Sequence, residues 1–136
     1  MLDGKPVRSP GKRPLLMPEA LARAVAAEWD RQGDTISLAA MPLMVLAGST
    51  VDVAVPERDR VVGDIAGYAR TDLLCYRAER PEELVRRQME RWQPHLDWAA
   101  QALDAPLRVA PGVMFVDQPE AALAALRRAV EGHEGW

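Results

Sequence analysis

Apolar residues recur at helical spacing in four parts of the chain, and a proline precedes each of them. Spacings of three and four residues place side chains on one face of a helix, and a proline in the first turn loses no intrahelical hydrogen bond. The pattern therefore predicts amphipathic helices after Pro18, Pro56, Pro81 and Pro119. The four stripes are Leu21, Val25 and Trp29; Val61, Ile65 and Tyr68; Val85, Met89, Trp92, Leu96, Ala99 and Leu103; and Leu123, Leu126 and Val130.

The third stripe is the longest and predicts the clearest helix. Pro94 lies inside it, removes one backbone donor and crowds the carbonyl of Glu90, so we expect a kink there or two helices end to end. Trp92 falls on the stripe and is expected to be buried, as is Trp29 on its own helix. Trp98 falls off the stripe, so it either packs under a neighbouring element or marks a contact site.

Residues 42–55 carry two competing patterns. Leu43, Leu46 and Ala47 follow Pro42 at helical spacing, which predicts a second helix, whereas the valines at 51, 53 and 55 alternate as in a strand. We expect a helix over the first part of this segment and leave its end open.

Several short strands are also predicted. The turn residues at Asp3-Gly4 and from Ser9 to Lys12 indicate a meander at the start of the chain, and Pro111-Gly112 indicates a small hairpin. The apolar run from Asp72 to Tyr76 reads as a short buried strand. The predicted fold is thus α+β, with an N-terminal β-hairpin or meander packed with amphipathic helices (residues 1–76) and a helical part that starts at residue 77 and runs to 136.

Composition excludes some classes of function. The 136 residues are 49% apolar and 27% charged, which suits one soluble domain with a real core. A net charge of −3 gives no broad attraction to nucleic acid. The single cysteine cannot form an internal disulfide, and we find neither a signal peptide nor an apolar run long enough to span a bilayer. We therefore expect a soluble intracellular protein that neither binds nucleic acid nor inserts in a membrane.

The catalytic patterns are mostly absent. The sequence has no phosphate-binding loop, no dinucleotide fingerprint, no serine elbow and no metal-ligand spacing, so no cofactor or metal is expected. Cys75 is the one candidate nucleophile, and strand alternation would place Arg77 on its face and Asp72 on the other. A small enzyme using Cys75 and Arg77 stays open as an alternative, but Cys75 is more simply a buried strand residue. Asp72 could instead cap a turn through its side chain.

Several unusual words in a fixed order carry a resemblance to a known family. They are LDGKPVRSP near the start, AxEWDxQ around Trp29, TDLLCYR from Thr71 to Arg77, and WxPxLDWA from Trp92 to Ala99. With these words the chain resembles, over essentially its whole length, the assembly chaperones of mitochondria and α-proteobacteria that bind the α subunit of the F1 ATP synthase.

The resemblance implies a non-enzymatic chaperone that holds the unassembled α subunit until it pairs with the β subunit, in the bacterial cytoplasm or, for eukaryotic relatives, in the mitochondrial matrix. A permanent interaction subunit is a further alternative. Carried over to this sequence, the motifs suggest Trp29, Asp72, Tyr76, Arg77 and Trp98 as residues that contact the client or organise the contact surface.

Family members are expected to extend beyond both ends of this sequence, which would make it a fragment that lacks part of the client-binding surface. On that expectation, apolar surface around Leu123, Leu126 and Trp136 would be exposed, and the chain would tend to self-associate.

Overall fold

The helices begin where the prolines predict. The chain is described from a computed structural model, and the structural description covers residues 4–133. Pro18, Pro81 and Pro119 each occupy the position before a helix, and Pro42 is the first residue of one. The five α-helices of these residues are α1 (Glu19–Asp30), α2 (Pro42–Ser49), α3 (Arg58–Gly67), α4 (Glu82–Leu103) and α5 (Glu120–Glu131).

The segment with two competing patterns is helical throughout. α2 continues directly into a wider turn over Thr50–Ala54, in which the N–H of Val55 donates to the carbonyl of Thr50 at 2.9 Å. This five-residue spacing is that of a π-helix. The alternating valines therefore do not form a strand, and the predicted helix after Pro42 is confirmed.

The predicted N-terminal β element is a short, loosely paired hairpin around a turn, in which the N–H of Ser9 donates to the carbonyl of Arg13 at 3.0 Å. The N–H of Lys12 donates to the carbonyl of Ser9 at 2.9 Å, which confirms the predicted turn, and Arg8 forms an antiparallel bridge with Pro14 across it. Pro10 and Pro14 have no N–H to give to a ladder, which keeps the pairing short, with a 3.4 Å bond from the N–H of Leu15 to the carbonyl of Val7 beyond Pro14. Of the predicted Asp3-Gly4 turn, Asp3 lies outside the described residues, and Gly4 has the positive φ of 77° that such a turn requires.

Residues 4–133 divide into two compact units, and the boundary between them in the sequence lies between Arg58 and Asp59. In the first unit the core is formed by Val25 of α1 with Met41 and Met44 at the start of α2. Leu15, Leu21 and Trp29 pack against these residues. The sequence-based division at residue 76 remains a prediction.

The second unit contains the sheet, and here two strand predictions are wrong. The sheet has two short parallel strands, β1 (Tyr76–Arg77) and β2 (Ala110–Pro111), with Tyr76 opposite Ala110. Leu73–Cys75 is a 3-10 turn rather than a strand, because the side chain of Asp72 accepts the N–H of Leu74 at 2.8 Å. The hairpin predicted around Pro111-Gly112 is replaced by parallel pairing with a strand far away in sequence.

α4 runs through Pro94 without a break, so the alternative of two helices is wrong. Leu96 and Ala99 are its buried residues, as the predicted stripe requires, but Met89 on the same stripe is exposed. After α4, Asp104 adopts the left-handed conformation and the chain turns into a small alanine core. Ala105, Ala122 and Ala125 form this core, with Leu103, Leu107 and Leu126 packed against it. The helix-rich α+β class is confirmed.

Candidate functional site

An apolar groove of about 340 Å³ lies in the second unit, among α3, α4 and α5. We call it the Trp98 groove. Its floor contains the buried residues Leu96 and Ala99 of α4, and Trp98 lies between them in sequence with 59% of its surface exposed. Apolar residues that line it from elsewhere are Ile65, Tyr68, Leu74, Leu107, Leu126 and Val130.

The helix pattern explains why the groove has an exposed aromatic rim. A residue two positions after Leu96 points about 200° away from it around the helix, so Trp98 cannot share the buried stripe. Tyr68 ends the α3 stripe and begins a 3-10 turn, and it is 75% exposed. Two large aromatic side chains and the exposed Ile65 thus border one concave surface. The contact interpretation of Trp98 remains a prediction with this geometry in its favour.

Asp72 lies on the border of the Trp98 groove, but its carboxylate has a local structural role. Its Oδ1 accepts the N–H of Leu74 at 2.8 Å, and its backbone carbonyl accepts the N–H of Cys75 at 3.0 Å. These two bonds form the 3-10 turn that brings Leu74 into the groove wall. The capping interpretation of Asp72 is thereby confirmed, and the side chains of His95 and His133 supply further polar groups at this groove.

Cys75 is a poor nucleophile in this environment. Its side chain has no exposed surface, and burial raises the pKa of its thiol. The nearby Asp72 raises that pKa further, while Arg77 acts in the opposite direction. The 3-10 turn also removes the strand alternation from which the faces of Asp72, Cys75 and Arg77 were predicted. Reactive cysteines are accessible and have a lowered pKa, and Cys75 has neither property.

Arg77 is buried and cross-links β1 to α4. Its Nε donates to the carbonyl of Leu74 at 2.8 Å, and its Nη2 donates to Oε1 of Gln93 at 3.3 Å. The guanidinium carbon lies 5.7 Å from the ring centroid of Trp92, which is cation–π range. Within residues 4–133 Arg77 has no carboxylate partner. Its neighbour Tyr76 is half-buried in the same strand, so both residues organise the scaffold rather than line the Trp98 groove.

Trp29 belongs to the first unit. It packs against the core of Val25 and Met44 and lines a second groove of about 350 Å³ together with Leu15 and Met17. Its indole Nε1–H is buried with no hydrogen-bond partner in the described part of the chain. The predicted site residues are therefore not one cluster: Asp72 and Trp98 share a groove, Tyr76 and Arg77 share a strand, and Trp29 is in the other unit.

Two features were missed at the sequence level. Glu28, beside Trp29 in the AxEWDxQ motif, is buried, and its carboxylate accepts the N–H groups of Leu43 and Met44 at 2.9 and 2.8 Å. Its spacing of three from Val25 places it on the apolar stripe and could have indicated this. The second feature is an exposed apolar run at residues 113–115, directly after the hairpin turn predicted at Pro111-Gly112.

One expectation about exposed surface is wrong. Leu123 is buried, with 8% of its surface exposed, because it lies on the inner face of α5 beside the alanine core. Leu126 is half-buried against the same core. Trp136 lies outside the described residues.

The described residues offer neither a metal cluster nor a helix suited to a bilayer. Within residues 4–133, no three His, Cys, Asp or Glu side chains are grouped so that they could hold a metal ion. None of the helices in this range combines the length and the apolarity that a bilayer crossing requires.

Comparison with known proteins identifies relatives. Residues 1–100 match the family of the ATP12 chaperone protein. The crystal structure of Atp12 from Paracoccus denitrificans is 45% identical with a TM-score of 0.95, and a point mutant of that Atp12p is 46% identical with the same TM-score. The Atu1473 protein from Agrobacterium tumefaciens is 41% identical with a TM-score of 0.89.

The matches cover nearly all of this chain but only part of the relatives. They span 99% of this chain against 58% of the Paracoccus protein, and 96% against 49% of the Agrobacterium protein. The family match likewise extends over well more than half of the 136 residues. The resemblance read from the sequence is confirmed at the level of the family, and this chain belongs to the ATP12 chaperone family.

Proposed function

We propose that this chain acts as an ATP synthase assembly chaperone, which binds the unassembled α subunit of the F1 part and prevents its aggregation until the β subunit pairs with it. The observation that carries the proposal is the Trp98 groove, a concave apolar surface with two exposed aromatic side chains in a member of a chaperone family. An orphan subunit exposes apolar interface surface, and a complementary apolar groove can cover it.

Trp98 is the proposed anchor of this contact. Burying the exposed part of an indole contributes on the order of 2 kcal/mol, and tryptophan is among the residues most enriched at binding hot spots. Asp72 orders the turn that forms one wall of the groove, while Tyr76, Arg77 and Trp29 support the surfaces around the two grooves. Exposure and hydrogen bonding support this proposed division into one contact residue and four organising residues.

The proposed action needs neither nucleotide nor covalent chemistry, and Cys75 offers no accessible nucleophile. Binding through an apolar groove is reversible, so the β subunit releases the client by competing for the same client surface. We place this activity in the bacterial cytoplasm, and in the mitochondrial matrix for eukaryotic relatives.

The test is suppression of aggregation of isolated F1 α subunit, followed by light scattering without nucleotide. We expect the chain to suppress aggregation in proportion to its concentration, with the longer Atp12 from Paracoccus denitrificans as the reference protein. Trp98→Ala should weaken binding about tenfold or more, whereas Leu84→Ala, an exposed leucine on the same helix outside the groove, should not.

Two results would contradict the proposal. The first is a chain that neither suppresses aggregation nor binds the α subunit while the reference protein does both. The second is retention of the chain in the finished ATP synthase, which would indicate a permanent subunit instead of a chaperone.

A further inference from the structure

Residues 112–116, which we call the VMF loop, present three consecutive apolar side chains to solvent. Val113, Met114 and Phe115 are 89%, 79% and 64% exposed. Single exposed apolar residues are common on proteins and need no explanation, but a contiguous exposed group indicates a binding surface. The VMF loop lies outside the Trp98 groove, so it has no part in the groove contact proposed above.

The C-terminal end of this loop is held in place by a buried glutamine. Gln118 is among the buried polar residues, and its Oε1 accepts the N–H of Arg108 at 2.8 Å. The Nε2 of the same side chain donates to the carbonyl of Arg108 at 3.0 Å. One side chain thus bonds both backbone groups of a residue ten positions earlier, which holds the two ends of the segment together as a strand partner would.

The first end is fixed by the sheet. The N–H of Gly112 donates to the carbonyl of Arg77 at 2.8 Å, directly after the pairing of Arg77 with Pro111. Gly112 has a φ of 73°, which turns the chain out of β2 at a position that favours glycine. Because both ends are held, the three apolar side chains are preorganised. The loop therefore loses less conformational entropy when a partner binds it.

The charge around the VMF loop indicates what kind of partner fits it. Residues 109–116 carry no charge, and the flanking Arg108 and Asp117 have opposite signs. A lipid surface that attracts proteins is usually anionic and calls for clustered Lys and Arg, which this segment lacks in a chain of net charge −3. An exposed, uncharged segment with an adaptable methionine and a phenylalanine instead fits an apolar pocket on a folded protein.

In sequence, the segment that leads to the loop starts at a residue of the proposed client surface. Leu107, one residue before the position that Gln118 holds, lines the Trp98 groove. A client seated in the groove would therefore reach a segment whose next residues lead to the VMF loop. A groove for a projecting part of the client and a projecting loop for a pocket of the client would bind two features of one surface.

We propose that Val113, Met114 and Phe115 insert into an apolar pocket on the unassembled F1 α subunit, as a second contact beside the Trp98 groove. This inference rests on the proposed function, since it assigns part of the same client contact. Gly112 and Gln118 are positioning residues for the loop and do not themselves contact the client.

The test replaces the three side chains together and measures the dissociation constant for the α subunit. The variant V113S/M114S/F115S should bind at least about tenfold more weakly than the unaltered chain. A matched control, L38S/L46S/L73S, removes three exposed apolar side chains that line neither groove, and it should bind within about twofold. Because the replaced loop side chains are exposed, the thermal unfolding midpoint should stay unchanged.

The outcomes separate the loop from the proposed function. If the unaltered chain does not bind the α subunit, the proposed function fails. If it binds and the loop variant binds equally well, or if the control loses as much, the loop inference is wrong while the proposed function stands. Flotation with vesicles of phosphatidylcholine and phosphatidylglycerol gives the last arm: vesicle binding that the loop variant loses, with α-subunit binding intact, would overturn the inference in favour of a membrane contact.

Discussion

The carboxylate of Glu28 in α1 accepts the backbone N–H of Met44 in α2 at 2.8 Å. Its other oxygen accepts the N–H of Leu43 at 2.9 Å. The side chain of Met41 does not cap α2, and Pro42 at the first position has no N–H, so one buried carboxylate satisfies the next two donors of the helix. A negative charge at this end also interacts favourably with the helix dipole.

Glu28→Ala should therefore lower the free energy of unfolding by about 2–3 kcal/mol, because it removes a cap and leaves the buried N–H of Met44 and the half-buried N–H of Leu43 without their partner. Urea unfolding measures this change. The control is Glu19→Ala on the same helix, whose exposed ion pair with Arg23 should contribute less than about 0.5 kcal/mol. Equal losses in the two variants would show that Glu28 does not act through α2.

Asp52 predicts a pH dependence of stability. The hydroxyl of Ser9 donates to its Oδ1 at 2.6 Å and the N–H of Gly11 to its Oδ2 at 2.8 Å, and these bonds, with the charge of Arg13, hold the pKa of Asp52 below its usual value. A carboxyl whose pKa is lower in the folded chain stabilises the fold above the unfolded pKa of about 3.9. That stabilisation is lost as the pH falls through the lower folded pKa.

Asp52→Asn should accordingly be less stable than the unaltered chain at neutral pH, and the difference should shrink below about pH 4. Ser9→Ala removes the largest cause of the lowered pKa, so its acid-induced loss of stability should be smaller than that of the unaltered chain. Unfolding free energies measured from pH 7 to pH 2.5 check both. A difference between Asp52→Asn and the unaltered chain that does not change with pH would contradict the assignment.

Gly11 and Asp52 should be energetically coupled. A Cβ at position 11 would lie 2.6 Å from Oδ1 of Asp52, closer than real Cβ contacts allow, and the Asp52 side chain is held by its hydrogen bonds. Gly11→Ala should thus destabilise the chain by roughly 1–3 kcal/mol, and by clearly less in an Asp52→Ala background. A double-mutant cycle with additive effects would show that the side chain of Asp52 yields without cost.

The helices could be predicted because their signals are local. Prolines at the first turn and apolar spacings of three and four lie within each helix, so α1, α4 and α5 begin close to their predicted starts. The sheet could not be predicted, since Tyr76 pairs with Ala110 across more than thirty residues and nothing local specifies the partner. At Leu73–Cys75 an apolar run predicted a strand, but one side-chain bond from Asp72 selected a 3-10 turn.

In the candidate site, too, local features could be predicted from the sequence and long-range contacts could not. The off-stripe position of Trp98 was readable from helix spacing, and its exposure agrees with a contact role. The groove around it forms only when three helices pack together, and the VMF loop is held by the hydrogen bonds of Gln118. The spacing of apolar residues along the sequence predicts neither feature. The burial of Glu28 was not predicted because an acidic residue on an amphipathic helix is ordinarily assigned to its polar face.

Cys75 should react slowly with thiol reagents. It has no exposed surface, and burial raises the pKa of its thiol, so little thiolate is present or accessible at neutral pH. Alkylation by iodoacetamide at pH 7.5 should be on the order of a hundredfold slower in the folded chain than in urea, because it waits for opening of the fold. Fast labelling of the folded chain, together with a folded Cys75→Ala variant that loses a measurable activity, would instead support the enzyme alternative.

Arg77 should not tolerate replacement by lysine. Its guanidinium bonds the carbonyl of Leu74 and the side chain of Gln93 from different nitrogens while it lies over the ring of Trp92. A lysine ammonium is a compact charge that cannot reproduce this planar, divergent geometry. Arg77→Lys should therefore lower the free energy of unfolding by about 2–3 kcal/mol.

The matched control for Arg77→Lys is Arg91→Lys, at an exposed position of α4, which should change stability by less than about 0.5 kcal/mol. Arg77→Met separates shape from charge: it fills part of the volume but leaves the carbonyl of Leu74 without its guanidinium donor. If methionine restored the stability that lysine loses, the buried charge rather than the hydrogen-bond geometry would be the unfavourable element, as replacement of buried ion pairs has shown elsewhere. We expect the hydrogen bonds of the guanidinium to contribute more to stability than its buried charge costs. Both variants should therefore be less stable than the unaltered chain in urea unfolding. A fully stable Arg77→Met would disprove the cross-linking role of Arg77 between β1 and α4.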